Sequence, residues 1–123
     1  MLIKNDISLI VKYIDETKGF GVFTNETIES GTIVETCYCI KTYNQLINPC
    51  FDYLFSLSKT ESLLPLGYGS IYNHSNEANI HWRIINLEKL LIEFYSLRKI
   101  DAGEELCHNY GQLYWDIRKK KLI

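Results

Sequence analysis

A chain of 123 residues is long enough for one domain built around one core. Hydrophobic residues make up 46% and charged residues 23%, the balance of a soluble globular protein, and a net charge of −2 gives no global attraction for nucleic acid. No apolar run approaches the about 20 residues of a spanning helix, and Met1 to Asp6 lack the layout of a signal peptide, so the expectation is intracellular and soluble, with no membrane partner.

In chain order the pattern is one of short strands. Ile7 to Ile14 is β-branched and aromatic, and predicts a first strand. Asp15 to Gly19 is a turn, and Gly19-Phe20-Gly21-Val22-Phe23 follows with two glycines around an aromatic. Thr27 to Gly31 is a second turn into a strand at Thr32 to Ile40, whose alternation places Cys37 and Cys39 on one face as buried thiols. Thr42 to Pro49 reads as a loop and Phe51 to Leu57 as an aromatic-rich strand, and Ser58 to Ser62 turns the chain. Ile80 to Ile85 and Leu90 to Leu97 predict two strands joined at residues 86–89, and Asp101-Ala102-Gly103 is a tight turn. No long helical period intervenes, so residues 1–123 are expected to form a single, mostly β domain.

Two stretches stand apart. Asn73-His74-Ser75 places donors and acceptors beside the apolar, glycine-punctuated run Leu66 to Tyr72, where unpaired polar groups would be costly. Gly103-Glu104-Glu105-Leu106-Cys107-His108-Asn109-Tyr110-Gly111 follows later. The four cysteines lack metal-ligand spacing, so no metal site is expected.

Taken together, Lys18 to Phe23, Tyr53-Leu54-Phe55, Asn73-His74-Ser75 with Asn79 beyond, Phe94 to Leu106 and Tyr110-Gly111 resemble, in order and spacing, the SET-domain family of protein-lysine methyltransferases. The short length and the Tyr114-Trp115 ending look most like the minimal stand-alone SET proteins of large DNA viruses. The resemblance implies small curved sheets of the β-clip kind and a C-terminal pseudoknot that brings Asn73, His74 and Tyr110 to one site. It also implies transfer of methyl groups from S-adenosylmethionine to a lysine side chain, with histone H3 as the expected substrate. Catalytic roles then fall to Tyr110, with its hydroxyl at the transferring methyl, and to Tyr53 and Tyr114 around the lysine nitrogen. The cofactor would lie against the backbone of Lys18, Gly19 and Phe20, with Asn73, His74, Tyr68, Tyr110 and Trp115 completing its site. His74 is expected to position groups rather than act as a base, and Glu105 to serve as an acceptor inside the knot.

The chain departs from the family pattern in three places. Asn76-Glu77-Ala78-Asn79 replaces the common Cys-x-Pro-Asn, Ser70 replaces a frequent basic residue, and His108 stands where many relatives carry Phe or Tyr and set the number of methyls added. The cysteine-rich flanks of many relatives are absent, which suggests a homodimer or a substrate wall made by the tail. A histone tail or another lysine-bearing protein is the implied partner, without direct nucleic-acid contact, and a host nucleus is the implied location for a viral protein. Two other readings follow from the residues: a SET-like module that binds cofactor or tail without turnover, and a structural protein of a virus particle whose aromatic cluster is only core.

Overall fold

The computed structural model describes residues 5–43 and 50–111. Nine strands and one 3-10 turn appear among them: β1 (Leu9–Asp15), β2 (Gly19–Thr24), β3 (Ile33–Tyr43), the turn Phe51–Tyr53, β4 (Phe55–Ser56), β5 (Glu61–Pro65), β6 (Asn73–His74), β7 (Ile80–Asn86), β8 (Leu91–Ser96) and β9 (Glu105–His108). They form a four-stranded sheet in the order β1-β2-β9-β6 and a five-stranded sheet in the order β4-β5-β3-β8-β7.

The β1–β2 hairpin turns where the sequence carries its turn residues. Asp15 Oδ1 accepts the backbone N–H groups of Thr17 (2.9 Å) and Lys18 (2.7 Å), and Gly19 takes a φ of +69°, which a side chain would disfavour. β3 follows the predicted alternation from Glu35 onward, with Glu35, Cys37 and Cys39 buried and Tyr38 and Ile40 exposed. A register shift against β8 between Ile33 and Glu35 places Val34 as an extra residue, so Val34 and Glu35 both face inward. A bulge re-aims side chains in this way, and it brings a carboxylate into the core here.

The expected strand Phe51 to Leu57 is instead a 3-10 turn followed by the two-residue β4. The Tyr53 N–H donates to the Cys50 carbonyl at 2.9 Å, so the chain coils before it can extend. The turn expected over Ser58 to Ser62 is shorter than expected. The Ser58 hydroxyl accepts Thr60 N and Glu61 N, and β5 begins at Glu61. Thr42 and Tyr43, expected in a loop, extend β3 because they pair with Ser62 and Glu61, while residues 44–49 lie outside the described residues.

β9 is the strand that ties the sheets' functional ends together. It pairs antiparallel with β2 (Val22↔Leu106) and parallel with β6 (Asn73↔Cys107, His74↔His108). Asn79 clasps it further on. Its amide donates to Glu105 O (2.8 Å), its side-chain oxygen accepts Cys107 N (2.9 Å), and its own N–H donates to Cys107 O (3.1 Å). This is how the implied knot is built, with a polar side chain standing in for a backbone ladder. The core between the sheets holds Val22, Ile28, Leu63, Tyr72, Ile80, Ile92, Phe94, Ile100 and Leu106, all almost wholly buried. Burial of such side chains contributes about 1.5–3 kcal/mol each.

Candidate active site

Asn73, His74 and Tyr110 come together because β6 lies beside β9. His74 Nδ1 accepts the Tyr110 backbone N–H (3.0 Å), and its Nε2 meets Asn76 Oδ1 at 3.0 Å. A backbone N–H can only donate, so Nδ1 is the acceptor and Nε2 carries the proton toward Asn76. His74 thereby holds the Tyr110 backbone in place. The Tyr110 hydroxyl donates to the Tyr72 carbonyl at 2.6 Å. The Asn73 amide donates to Phe20 O (3.0 Å) and to Glu105 Oε2 (2.7 Å), which makes Glu105 the acceptor expected in the knot.

Gly21 is required by this arrangement. A Cβ there would stand 2.5 Å from Glu105 Oε2, 2.6 Å from Ile14 Cδ1 and 3.1 Å from Asn73 Nδ2. At Gly19 a Cβ would meet no described atom within 4 Å, so that face of the chain is open.

Two cavities flank Tyr110. The larger, about 470 Å³, is lined by Val11, Lys18, Gly19, Phe20, Ile71 and Asn73, among others. The smaller, about 140 Å³, runs among Tyr53, Phe55, Tyr72, Trp82, His108 and Tyr110. Tyr53, Ser70 and Tyr110 belong to the walls of both. Small-molecule sites are typically about 300–1,000 Å³, so the larger space suits a cofactor-sized ligand, and the smaller, aromatic one suits a single extended side chain.

The floor of the smaller cavity is unusual in carrying an imidazole. His108 is 4% exposed, its ring stacks on Phe55 at 5.1 Å, and its centroid lies 4.7 Å from that of Tyr110. Burial, and then the nearby His81 and His74 rings, push its pKa down to about 3, so it is neutral at physiological pH. Its Nδ1 is buried and has no hydrogen-bond partner among the described residues.

Of the residues expected at the site, Lys18, Gly19, Phe20, Asn73, Tyr53 and Tyr110 line one or both cavities. His74 and Tyr68 line neither cavity, and Tyr68 packs against the core. Tyr114 and Trp115 lie outside the described residues. Phe55 was legible as part of the Tyr53-Leu54-Phe55 motif and Tyr72 as the residue leading into Asn73-His74, but Trp82 and Glu35 carried no local signal. Trp82 reaches the site by packing on Phe55, and Glu35 lines neither cavity but accepts the Tyr72 hydroxyl (2.7 Å to Oε1).

The comparisons with known proteins agree with this geometry. The SET domain profile matches residues 19–111. A Schizosaccharomyces pombe protein named histone-lysine N-methyltransferase, H3 lysine-37 specific, is 34% identical over 109 residues, covering 81% of this chain and 71% of the relative. The histone-lysine N-methyltransferase EZH2 of Chaetomium thermophilum is 30% identical over 129 residues, covering 85% of this chain and 8% of that much longer protein. A solved Plasmodium falciparum structure, described as a histone methyltransferase, superposes with a TM-score of 0.71 at 30% identity, covering 92% of this chain and 99% of the other. The chain belongs to the SET-domain family, whose members are lysine methyltransferases that generally use S-adenosylmethionine.

Proposed function

We propose that this chain is a protein-lysine N-methyltransferase that moves methyl groups from S-adenosylmethionine to a lysine side chain of histone H3, with residues 1–123 forming one SET domain. The observation that carries the reading is that Tyr110 stands in the walls of two unequal cavities. The relatives named for histone methylation support histone H3 as the substrate, and the nucleus is the corresponding place of action.

The residues around the larger cavity fit the cofactor. Lys18 offers a cation and Asn73 an amide for the amino-acid end, while Val11, Phe20 and Ile71 offer apolar surface. The open face of Gly19 leaves room for close approach of a ligand. When bound, the cofactor supplies an activated methyl and its own leaving group.

The smaller cavity would take the lysine. A free lysine amine has a pKa near ~10.4 and is protonated at neutral pH. Enclosure among Phe55, Trp82, neutral His108 and Tyr110 desolvates it and favours the reactive neutral amine. The Tyr110 hydroxyl donates to the Tyr72 carbonyl, which fixes the direction of its O–H beside the two cavities. Tyr53, 54% exposed, stands at the rim, where a bound peptide would cover it. The catalytic contribution of these residues is chiefly positional.

Mass spectrometry of core histones and H3 peptides incubated with protein and S-adenosylmethionine tests the reading. Methylated lysines with wild type and none with Tyr110→Phe are expected. Tight cofactor binding with no methylation on any protein would instead identify a binding module, and no cofactor binding would remove both readings.

A further inference from the structure

Glu35 is a buried carboxylate with no Lys, Arg or His partner among the described residues. Burying an unpaired carboxylate is costly, and the desolvation holds its pKa above the ordinary range. Three donors converge on it nonetheless. The Tyr72 hydroxyl donates to Oε1 at 2.7 Å, the Tyr68 backbone N–H to Oε2 at 2.8 Å, and the Cys37 thiol adds a weaker bond. The two carboxyl oxygens carry enough lone pairs to accept all three. Gly67 shows how closely the chain is drawn in, since a Cβ there would stand 2.6 Å from Glu35 Oε2.

The segment held at both ends by this carboxylate, Tyr68 to Tyr72, is the partition between the two cavities. Ser70 lines both, Ile71 the larger and Tyr72 the smaller. Tyr72 has a second attachment, because its carbonyl accepts the Tyr110 hydroxyl at 2.6 Å. Glu35 and Tyr110 are therefore joined through one residue, whose ring is fixed at one end and whose backbone orients the phenol at the other.

We infer that Glu35 is a positioning residue for methyl transfer: by anchoring the Tyr72 hydroxyl it fixes the carbonyl that orients the Tyr110 phenol in the wall shared by the two cavities. The inference rests on the proposed lysine methyltransferase activity for its catalytic consequence, but the structural link stands without it. Glu35 touches neither cavity, so it acts through the groups it holds, the Tyr72 hydroxyl and the Tyr68 N–H.

Tyr72→Phe and Glu35→Gln test it. Tyr72→Phe removes the anchoring hydroxyl and keeps the carbonyl, and Glu35→Gln replaces one acceptor with an N–H₂ that faces a donor. Both are expected to lower kcat about tenfold, the factor one hydrogen bond is worth, while KM for an H3 peptide and Kd for S-adenosylmethionine move less than about threefold. The second readout is NMR of the protein labelled with ¹³C at tyrosine Cζ, with the Tyr110 signal assigned by its loss in Tyr110→Phe. That signal is expected to shift in both variants. A folded variant with unchanged kcat, or with an unmoved Tyr110 signal, overturns the inference. If Glu35→Gln does not fold, Tyr72→Phe decides alone. If wild type methylates nothing, the functional reading fails, and the Tyr110 signal still decides whether Glu35 orients the phenol.

Discussion

Tyr110 concentrates the chemistry of the site in one oxygen. Tyr110→Phe is expected to lower methyl transfer by at least about 100-fold, with S-adenosylmethionine affinity within about threefold of wild type by calorimetry. His108 has a consequence for stability. Its folded pKa of about 3 lies below the ordinary 6.5, so between those values the unfolded chain binds more protons than the folded one. The stability this group permits is fully present above pH 6.5 and is lost as pH falls toward 3. His108→Phe is expected to flatten the fall in melting temperature between pH 7 and pH 4.5, where one extra proton accounts for at most about 1.4 kcal/mol per pH unit. The same variant removes the unpartnered Nδ1 from the floor of the smaller cavity. A change in the ratio of mono-, di- and trimethylated peptide, read by mass spectrometry, is therefore expected.

Among elements, the clasp on β9 is the vulnerable one. Asn79→Ala deletes two side-chain hydrogen bonds to that strand and leaves buried backbone groups unpaired. A loss of about 2–4 kcal/mol in urea unfolding is expected. Gly21→Ala forces a Cβ into Glu105, Ile14 and Asn73, and is expected to lower both the melting temperature and cofactor binding, since Asn73 lines the larger cavity. A Gly21→Ala protein as stable as wild type would show that β2 can move off β9. Most of these elements were legible from alternation and turn residues. Cys37 and Cys39 on one face of β3, the Asp15–Gly19 turn and the β7–β8 pair were read from pattern alone. The exceptions are β5, β6 and β9, short strands that pattern did not mark, residues 51–57, where aromatic content looks like a strand but the backbone coils, and the inward turn of Glu35, which depends on a bulge set by pairing with β8.

For the whole molecule, the closing experiment is ligand-linked stability. At a free S-adenosylmethionine concentration about 100 times its Kd, binding to the folded state alone adds about 2.7 kcal/mol, which a thermal shift assay reads as a rise in melting temperature. No rise at any concentration would sink the proposed cofactor site. The sequence by itself determined the mostly β character, the family and the residues of the Asn73-His74 and Tyr110 motifs, because periodicity, turn chemistry and motif spacing are local or ordered along the chain. Only the tertiary structure decided which side chains share a wall. Tyr72 and Trp82 join Tyr110 in the wall of the smaller cavity, and Glu35 holds the Tyr72 hydroxyl from outside it, through the pairing of β9 with β6, of β3 with β8 and of β7 with β8, and such cross-strand contacts join residues far apart in sequence that carry no mark of one another.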